Sequence, residues 1–193
     1  MDLDKNKTAL LVMDFMNDLV DEKGKAAGFC MEHIKKQDAI ANTKKALEKA
    51  RAKGWKVIYV TLDYGKNYEK IKTVKSPMYQ GVADAKMFET GTWGTEIHKD
   101  LKPMKGETII TKSRINPFTN PDFEKEIKGM ENLVMAGVAT NFVVEAAARE
   151  AADKDYNVIV LEDCCASMSP DMHKFSVEVL LPNLVMIKSV GDI

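Results

Sequence analysis

Two charged residues stand at the ends of apolar runs, where acid–base chemistry could take place. Asp14 directly follows the run Thr8–Met13, and Lys112 closes the run Glu107–Thr111. In an open parallel sheet, residues at the carboxyl ends of strands face the ligand crevice. An Asp held against apolar neighbours has a raised pKa and can act as a general acid or base. A Lys buried at the same edge needs an anionic partner, which Asp14 would supply.

Each of these residues also has a purely structural interpretation. Asp14 could cap a turn, because Asn17 and Asp18 follow in a turn-like stretch, and its position alone favours neither role. Lys112 could be one of many exposed lysines, with Arg114 two residues on as a competing cation. For Lys112, position alone favours the structural role.

A third position is informative because it lacks a reactive group. The segment Asn132–Ala151 predicts a buried strand, a tight turn over Gly137–Thr140 and an alanine-rich helix. The first turn of a helix presents unpaired N–H groups and the positive end of the dipole, which would activate a nucleophile there. The residues that follow the turn are Asn141, Phe142, Val143 and Val144. None of these side chains can attack a carbonyl carbon.

Short apolar runs alternate with helical patterns, which predicts βαβ units and a parallel sheet. The runs are apolar throughout rather than in alternation, as in strands buried on both faces. Six runs are predicted as strands: Thr8–Met13, Lys56–Leu62, Glu107–Thr111, Leu133–Ala136, Val158–Leu161 and Val185–Ile187. The length of 193 residues suits one domain, predicted over residues 1–193.

Helix signals lie between the strands. Gln37–Lys53 carries apolar residues at helical spacing and stops at Gly54, while Pro121 and Pro170 each follow a capping residue and start a helix. The stretch Asp63–Thr92, with its Gly, Pro and Tyr residues, is predicted as an elaborated loop that can shape a pocket over the strand ends.

Composition excludes several classes of function. The net charge of −1, from 28 basic and 29 acidic residues, gives no electrostatic case for binding nucleic acid or an anionic membrane. No apolar run approaches the length of a membrane span, and the first residues lack a signal-peptide core. A cytoplasmic protein is therefore predicted.

The other candidate ligands and nucleophiles are scattered. Cys164 and Cys165 are adjacent, follow the fifth predicted strand and fit no zinc spacing. Cys30 is predicted in a loop before the first helix, with no base to activate its thiol. Free thiols are predicted, although a relocated nucleophile at Cys164 or Cys165 is conceivable. The three His residues are not spaced as ligands, so neither a metal nor a cofactor is predicted. Trp93 could line a pocket, but a core or interface position is favoured.

Five segments together resemble the isochorismatase-like cysteine hydrolases, in family order and over nearly the whole chain. TALLVMDFMNDL resembles the family's first strand, and GTWGTEI resembles its Gly-Thr-x-Gly-x-Glu-Ile segment. TIITKSRINPF resembles the strand that ends in the catalytic Lys, and GVATNFVVEAAAREA resembles the corner that carries the catalytic Cys. DYNVIVLEDCCAS, followed by His173, resembles the fifth strand and the helix after it.

The resemblance implies a fold and a set of site residues. The fold would be a three-layer α/β/α sandwich around a six-stranded parallel sheet with Rossmann-type topology. Asp14 and Lys112 would be catalytic, and Val143 would stand at the position of the nucleophilic Cys. The substrate-binding positions implied are Met16, Val138, Ala139, Thr140 and Val143. The family also places a cis peptide at the corner, here Val138–Ala139, and commonly has Gln where Met16 stands.

The nicotinamidase branch of the family binds zinc through an Asp-x-His segment, but the corresponding residues here are Asp63-Tyr64-Gly65. This difference again predicts no metal. The family carries small residues at Cys164 and Cys165, which favours structural thiols there.

Two functions are open after the resemblance. The first is a cofactor-free hydrolase that acts on a small metabolite through Asp14 and Lys112, since true isochorismatases also lack the Cys and cleave a vinyl ether by acid catalysis. The second is a catalytically inactive relative that binds a small ligand or serves as a scaffold. Val143 favours the second, because Val fills a corner that Gly leaves open. A homodimer or homotetramer is predicted in either case.

Overall fold

The computed structural model describes residues 1–193, and its centre is a sheet of six strands. The strands are β1 (Thr8–Met13), β2 (Lys56–Leu62), β3 (Thr108–Lys112), β4 (Asn132–Val138), β5 (Asn157–Ala166) and β6 (Met186–Lys188). They lie in the order β3-β2-β1-β4-β5-β6, and every neighbouring pair is parallel. The α/β fold with a six-stranded parallel sheet is therefore confirmed.

Seven α-helices connect the strands. They are α1 (Asn17–Val20), α2 (Ala27–Lys36), α3 (Ala39–Lys53), α4 (Pro77–Asp84), α5 (Pro121–Glu126), α6 (Glu145–Asp153) and α7 (Pro170–Lys174). A π-helical turn, Thr140–Val144, precedes α6, and another, Phe175–Leu180, follows α7. None of the helices is long and apolar enough to cross a membrane.

Both faces of the sheet are covered by apolar clusters. Leu10 and Val12 of β1 pack with Leu47 of α3 on one face, whereas Leu11 and Met13 pack with the alanines of α6 on the other. Successive side chains of a strand point to opposite faces. This two-sided burial explains why β1 is apolar at every position.

The helix α2 and the segment over the strand ends differ from the sequence predictions. Gly24 and Gly28 weaken the helical signal around α2, so its residues were expected in a loop. The stretch Asp63–Thr92 contains α4 and forms a third apolar cluster over the carboxyl edge of the sheet. We call this stretch the cover. Its predicted role in shaping a pocket is confirmed, because seven of the cavity-lining residues described below belong to it.

The fifth strand is longer than predicted, and this relocates two cysteines. Cys164 and Cys165 lie inside β5 rather than after it, beyond a register shift between Met135 and Gly137. Cys165 lies opposite Gly137 of β4. Both cysteines are fully buried in the sheet.

Candidate active site

Asp14 and Lys112 meet at the carboxyl edge of the sheet. Lys112 Nζ donates a hydrogen bond of 2.8 Å to Asp14 Oδ2, across the intervening strand β2. The two residues are only 3% and 2% exposed. The backbone of Asp14 leaves β1 in the left-handed region, with φ of 61°, and its N–H bonds to the carbonyl of Val60.

Burial dominates the electrostatics of this pair. It raises the pKa of the Asp14 carboxyl, and the Lys112 ammonium offsets part of that rise. Burial lowers the pKa of Lys112, and the Asp14 carboxylate offsets part of that fall. Asp14 Oδ1 is buried and has no hydrogen-bond partner. One oxygen of the carboxyl is thus held by Lys112, while the other has no partner within the protein.

A cavity of about 440 Å³ adjoins the pair. Its lining includes Asp14 and three residues of the corner between β4 and α6, namely Val138, Ala139 and Val143. Leu19, Phe29 and Cys30 line it as well. The cover supplies Tyr64, Met78, Gly81, Val82, Ala85, Met87 and Phe88. A volume of this size, with few polar groups, is typical of a small-molecule site.

The corner before α6 combines cavity-lining and buried residues. The peptide Val138–Ala139 is cis, and Val143 in the first turn is 1% exposed with its side chain against the cavity. Thr140 is fully buried and does not line the cavity, since its hydroxyl bonds to His173 Nδ1 at 2.8 Å. Met16 is likewise buried away from the cavity, where its sulfur accepts the N–H of Leu62 at 2.9 Å.

Asp18 holds the cover in place, a role that its sequence position did not reveal. Its carboxylate accepts the N–H of Phe88 at 2.7 Å and that of Lys25 at 3.2 Å. A Cβ at Gly94 would lie 2.2 Å from Asp18 Cγ, so only glycine fits against this carboxylate. The sequence showed Asp18 only as a turn residue, because its partner in the cover, Phe88, lies 70 residues away.

Two buried histidines link the corner to the neighbouring helices. His33 of α2 and His173 of α7 lie edge to face, with ring centroids 5.0 Å apart. Gln37 contacts His173 Nε2 at 3.2 Å, and His33 Nδ1 accepts the N–H of Ser167. Burial lowers the pKa of both rings, that of His173 to about 4.

The thiols and Trp93 depart in part from the predictions. Cys30 lies in α2 and lines the cavity, whereas Cys164 and Cys165 do not. Burial raises the pKa of Cys30 and of Cys165 to about 12, and that of Cys164 further, so all three stay protonated at neutral pH. Trp93 is 45% exposed, which contradicts a core position, and it does not line the cavity.

The residues present do not fit a zinc site. No group of three or more His, Cys, Asp or Glu side chains lies close enough together to hold a metal ion. Asp63, which the resemblance would make a zinc ligand, instead accepts hydrogen bonds from Gly65, Lys70 and Thr90. These bonds hold its carboxylate within the cover.

Known proteins resemble this chain in sequence and in fold. The isochorismatase domain profile matches residues 8–190. The ureidoacrylate amidohydrolase RutB of Agrobacterium fabrum is 35% identical over 188 residues, covering 88% of this chain and 80% of that protein. The enzyme of the same name from Rhizobium rhizogenes is 33% identical over 184 residues, covering 88% and 74%.

Among solved structures, a cysteine hydrolase from Pseudomonas syringae pv. phaseolicola superposes with a TM-score of 0.86. The match covers 98% of this chain and 92% of that one at 19% sequence identity, so it speaks for the fold alone.

Proposed function

Since this chain belongs to the isochorismatase family, whose members include hydrolases of small metabolites, we propose that it hydrolyses such a metabolite through Asp14 and Lys112 without a cysteine nucleophile. The observation that carries the proposal is that the two oxygens of the Asp14 carboxyl have different surroundings. Lys112 holds Oδ2, Oδ1 has no hydrogen-bond partner within the protein, and Asp14 lines the cavity. A free, buried carboxyl oxygen is suited to proton transfer with a bound molecule.

The reaction needs only a proton donor and water. Asp14 in its protonated form donates its proton to the substrate, and Lys112 stabilises the carboxylate that remains. Water adds to the activated carbon, the bond to the leaving group breaks, and the water's spare proton returns to Asp14. No covalent intermediate with the protein is formed.

The missing nucleophile limits the substrate. On the resemblance of the corner to the family motif we take Val143 to stand at the Cys position, and a valine cannot form a thioester. Acid–base catalysis by a positioned side chain contributes roughly 10²- to 10⁴-fold, which is enough for a labile bond such as a vinyl ether. We therefore do not expect the amide hydrolysis that names the ureidoacrylate relatives.

A substrate panel tests this function. Nicotinamide, N-carbamoyl compounds and ureidoacrylate should show no turnover with or without zinc, whereas vinyl ethers of metabolites should be cleaved, as followed by NMR. Asp14→Asn should abolish the cleavage. Asp63→Asn is the matched control, because Asp63 also follows a strand but does not line the cavity. Equal turnover in wild type and Asp14→Asn would refute the proposal.

A second candidate is a relative that binds a small ligand without catalysis. Val143 supports it, since this buried side chain occupies the corner beside Asp14 where a smaller residue would leave room for a substrate. Ligand binding in the absence of any turnover, with Asp14→Asn weakening that binding, would favour this alternative.

A further inference from the structure

The cavity wall is almost entirely hydrophobic. Of its 19 residues, 17 are hydrophobic, and the remaining two are Asp14 and Gly81. No Arg, Lys, His, Asn or Gln lines it. Lys112 does not compensate, because its side chain is fully buried behind Asp14 and is not part of the wall.

We propose that this cavity takes an uncharged, largely apolar molecule with one hydrogen-bond-donating head group, such as an aryl or alkyl urea or amide, and that it rejects carboxylates. The head group would donate to the carboxyl of Asp14, which lines the cavity and whose Oδ1 has no partner within the protein. This inference rests on the proposed function only in using the same site, and it concerns binding rather than turnover.

Two physical arguments exclude a carboxylate. An anion that enters an apolar cavity loses its water and needs a cation or several donors in exchange. The only acid in this wall is Asp14, which in its ionised form would repel a carboxylate and in its protonated form supplies no cation to pair with one. The relatives are named for ureidoacrylate, whose acrylate part carries a carboxylate beside its ureido group, so this chain should differ from them in ligand charge.

The aromatic and thioether groups of the wall suit an apolar body. Phe29, Met78, Met87 and Phe88 line the cavity, and methionine adapts its shape to irregular ligands. Tyr64 adds one hydroxyl, whose pKa burial raises first and the Asp14 charge raises next, so it stays a neutral donor. One acceptor and one neutral donor are enough to orient a single urea or amide head.

A matched pair of ligands tests the inference on the unmodified protein. Phenylurea and 3-ureidoacrylate share the ureido head and differ in carrying a neutral ring or a carboxylate. Isothermal titration calorimetry at pH 7 should show phenylurea binding at least about 100-fold more tightly than ureidoacrylate. Because binding is measured without any reaction, the binding result can be interpreted even if the proposed catalysis is not observed.

A matched pair of variants tests the location. Gly81 lies in α4 and lines the cavity, Gly28 lies in α2 and does not, and a Cβ at either position meets nothing within 4 Å. Gly81→Leu should weaken phenylurea binding more than tenfold, while Gly28→Leu should leave it unchanged. Circular dichroism establishes that both variants are folded.

Each other outcome overturns the inference. Comparable or tighter binding of ureidoacrylate would show that a charged head is accommodated. Phenylurea binding that survives Gly81→Leu would place the ligand elsewhere. If neither compound binds the wild-type protein, the cavity does not select this class of ligand.

Discussion

At the scale of single residues, the Asp14–Lys112 contact makes two buried charges dependent on each other. Both side chains are at most 5% exposed, so removing either leaves the other without solvent or a counter-ion. Lys112→Met should lower the free energy of unfolding by roughly 3–5 kcal/mol, because Asp14 is then buried and unpaired. The double variant Asp14→Asn/Lys112→Met should lose less than Lys112→Met alone. Urea unfolding of Asp14→Asn, Lys112→Met and the double variant measures these losses. A loss in the double variant equal to the sum of the two single losses would show that the pair is not coupled.

The corner residue Val143 can report whether the site could hold a nucleophile. In Val143→Cys the new thiol would face the cavity at the start of a helical segment, near Asp14 as a base. We expect it to react with iodoacetamide faster than the three native thiols, which burial keeps protonated. Val144→Cys is the control, since Val144 is fully buried and does not line the cavity. An inert thiol at 143 in a folded variant would mean that the corner is closed to reagents.

At the scale of elements, the cover depends on the fit between Gly94 and Asp18. Gly94→Ala would force a methyl group to within 2.2 Å of the carboxyl carbon that anchors Phe88. Overpacking of this kind costs typically 1–3 kcal/mol, which we expect as a loss in thermal and urea stability. Gly28→Ala, where the added Cβ meets open space, should be neutral or stabilising. Equal stability of the two variants would contradict this account of the cover.

The histidine contact between α2 and α7 predicts a pH dependence of stability. The pKa of His173 is near 6.5 when the chain is unfolded and about 4 in the fold, so between these values the unfolded chain binds the proton more readily. The free energy of unfolding should therefore fall as pH drops from about 6.5 to about 4, by up to about 3 kcal/mol, and then level off. His173→Asn, which keeps a polar group near Thr140, should flatten this part of the curve. An unchanged slope in the variant would count against a neutral buried His173.

The sequence predicts those elements whose signal is local. β1 and β2 were predicted at their observed bounds because continuous apolar runs end sharply at Asp14 and Asp63. The meeting of Asp14 with Lys112 was predictable too, since parallel strands end at one edge of the sheet. The places of Cys30 and Asp18 were not, because they depend on α2 and on contacts with a distant segment.

At the scale of the whole molecule, exposed apolar side chains continue from the cavity mouth along α7. Phe29, Phe142 and Met168 line the cavity yet are 36–49% exposed, and Met172, Phe175 and Val179 extend this surface through the following π-helical turn. Clustered exposed apolar residues mark association surfaces more often than isolated ones do. This surface agrees with the expected homodimer or homotetramer, which stays a prediction.

A charge on this surface should change the molar mass in solution. Phe175→Asp should shift the protein toward the monomer in size-exclusion chromatography with light scattering, because the new charge would be buried at an interface. Met104→Asp is the control, since Met104 is 58% exposed against 57% for Phe175 and lies outside the surface. The same mass for both variants and the wild type would mean that α7 is not an interface.

The left-handed backbone at Asp14 has a consequence for the mutational tolerance of the chain. Residues with a Cβ are strained at a φ of 61°, Asn and Asp the least and β-branched residues the most, whereas Gly is unstrained. Folding alone therefore admits a short list of replacements at this position, and only Asp among them carries a proton that can be given and taken back. Gly or Asn would suit the backbone there but would leave Lys112 buried without its counter-ion, so the backbone and the ion pair together restrict position 14 to Asp.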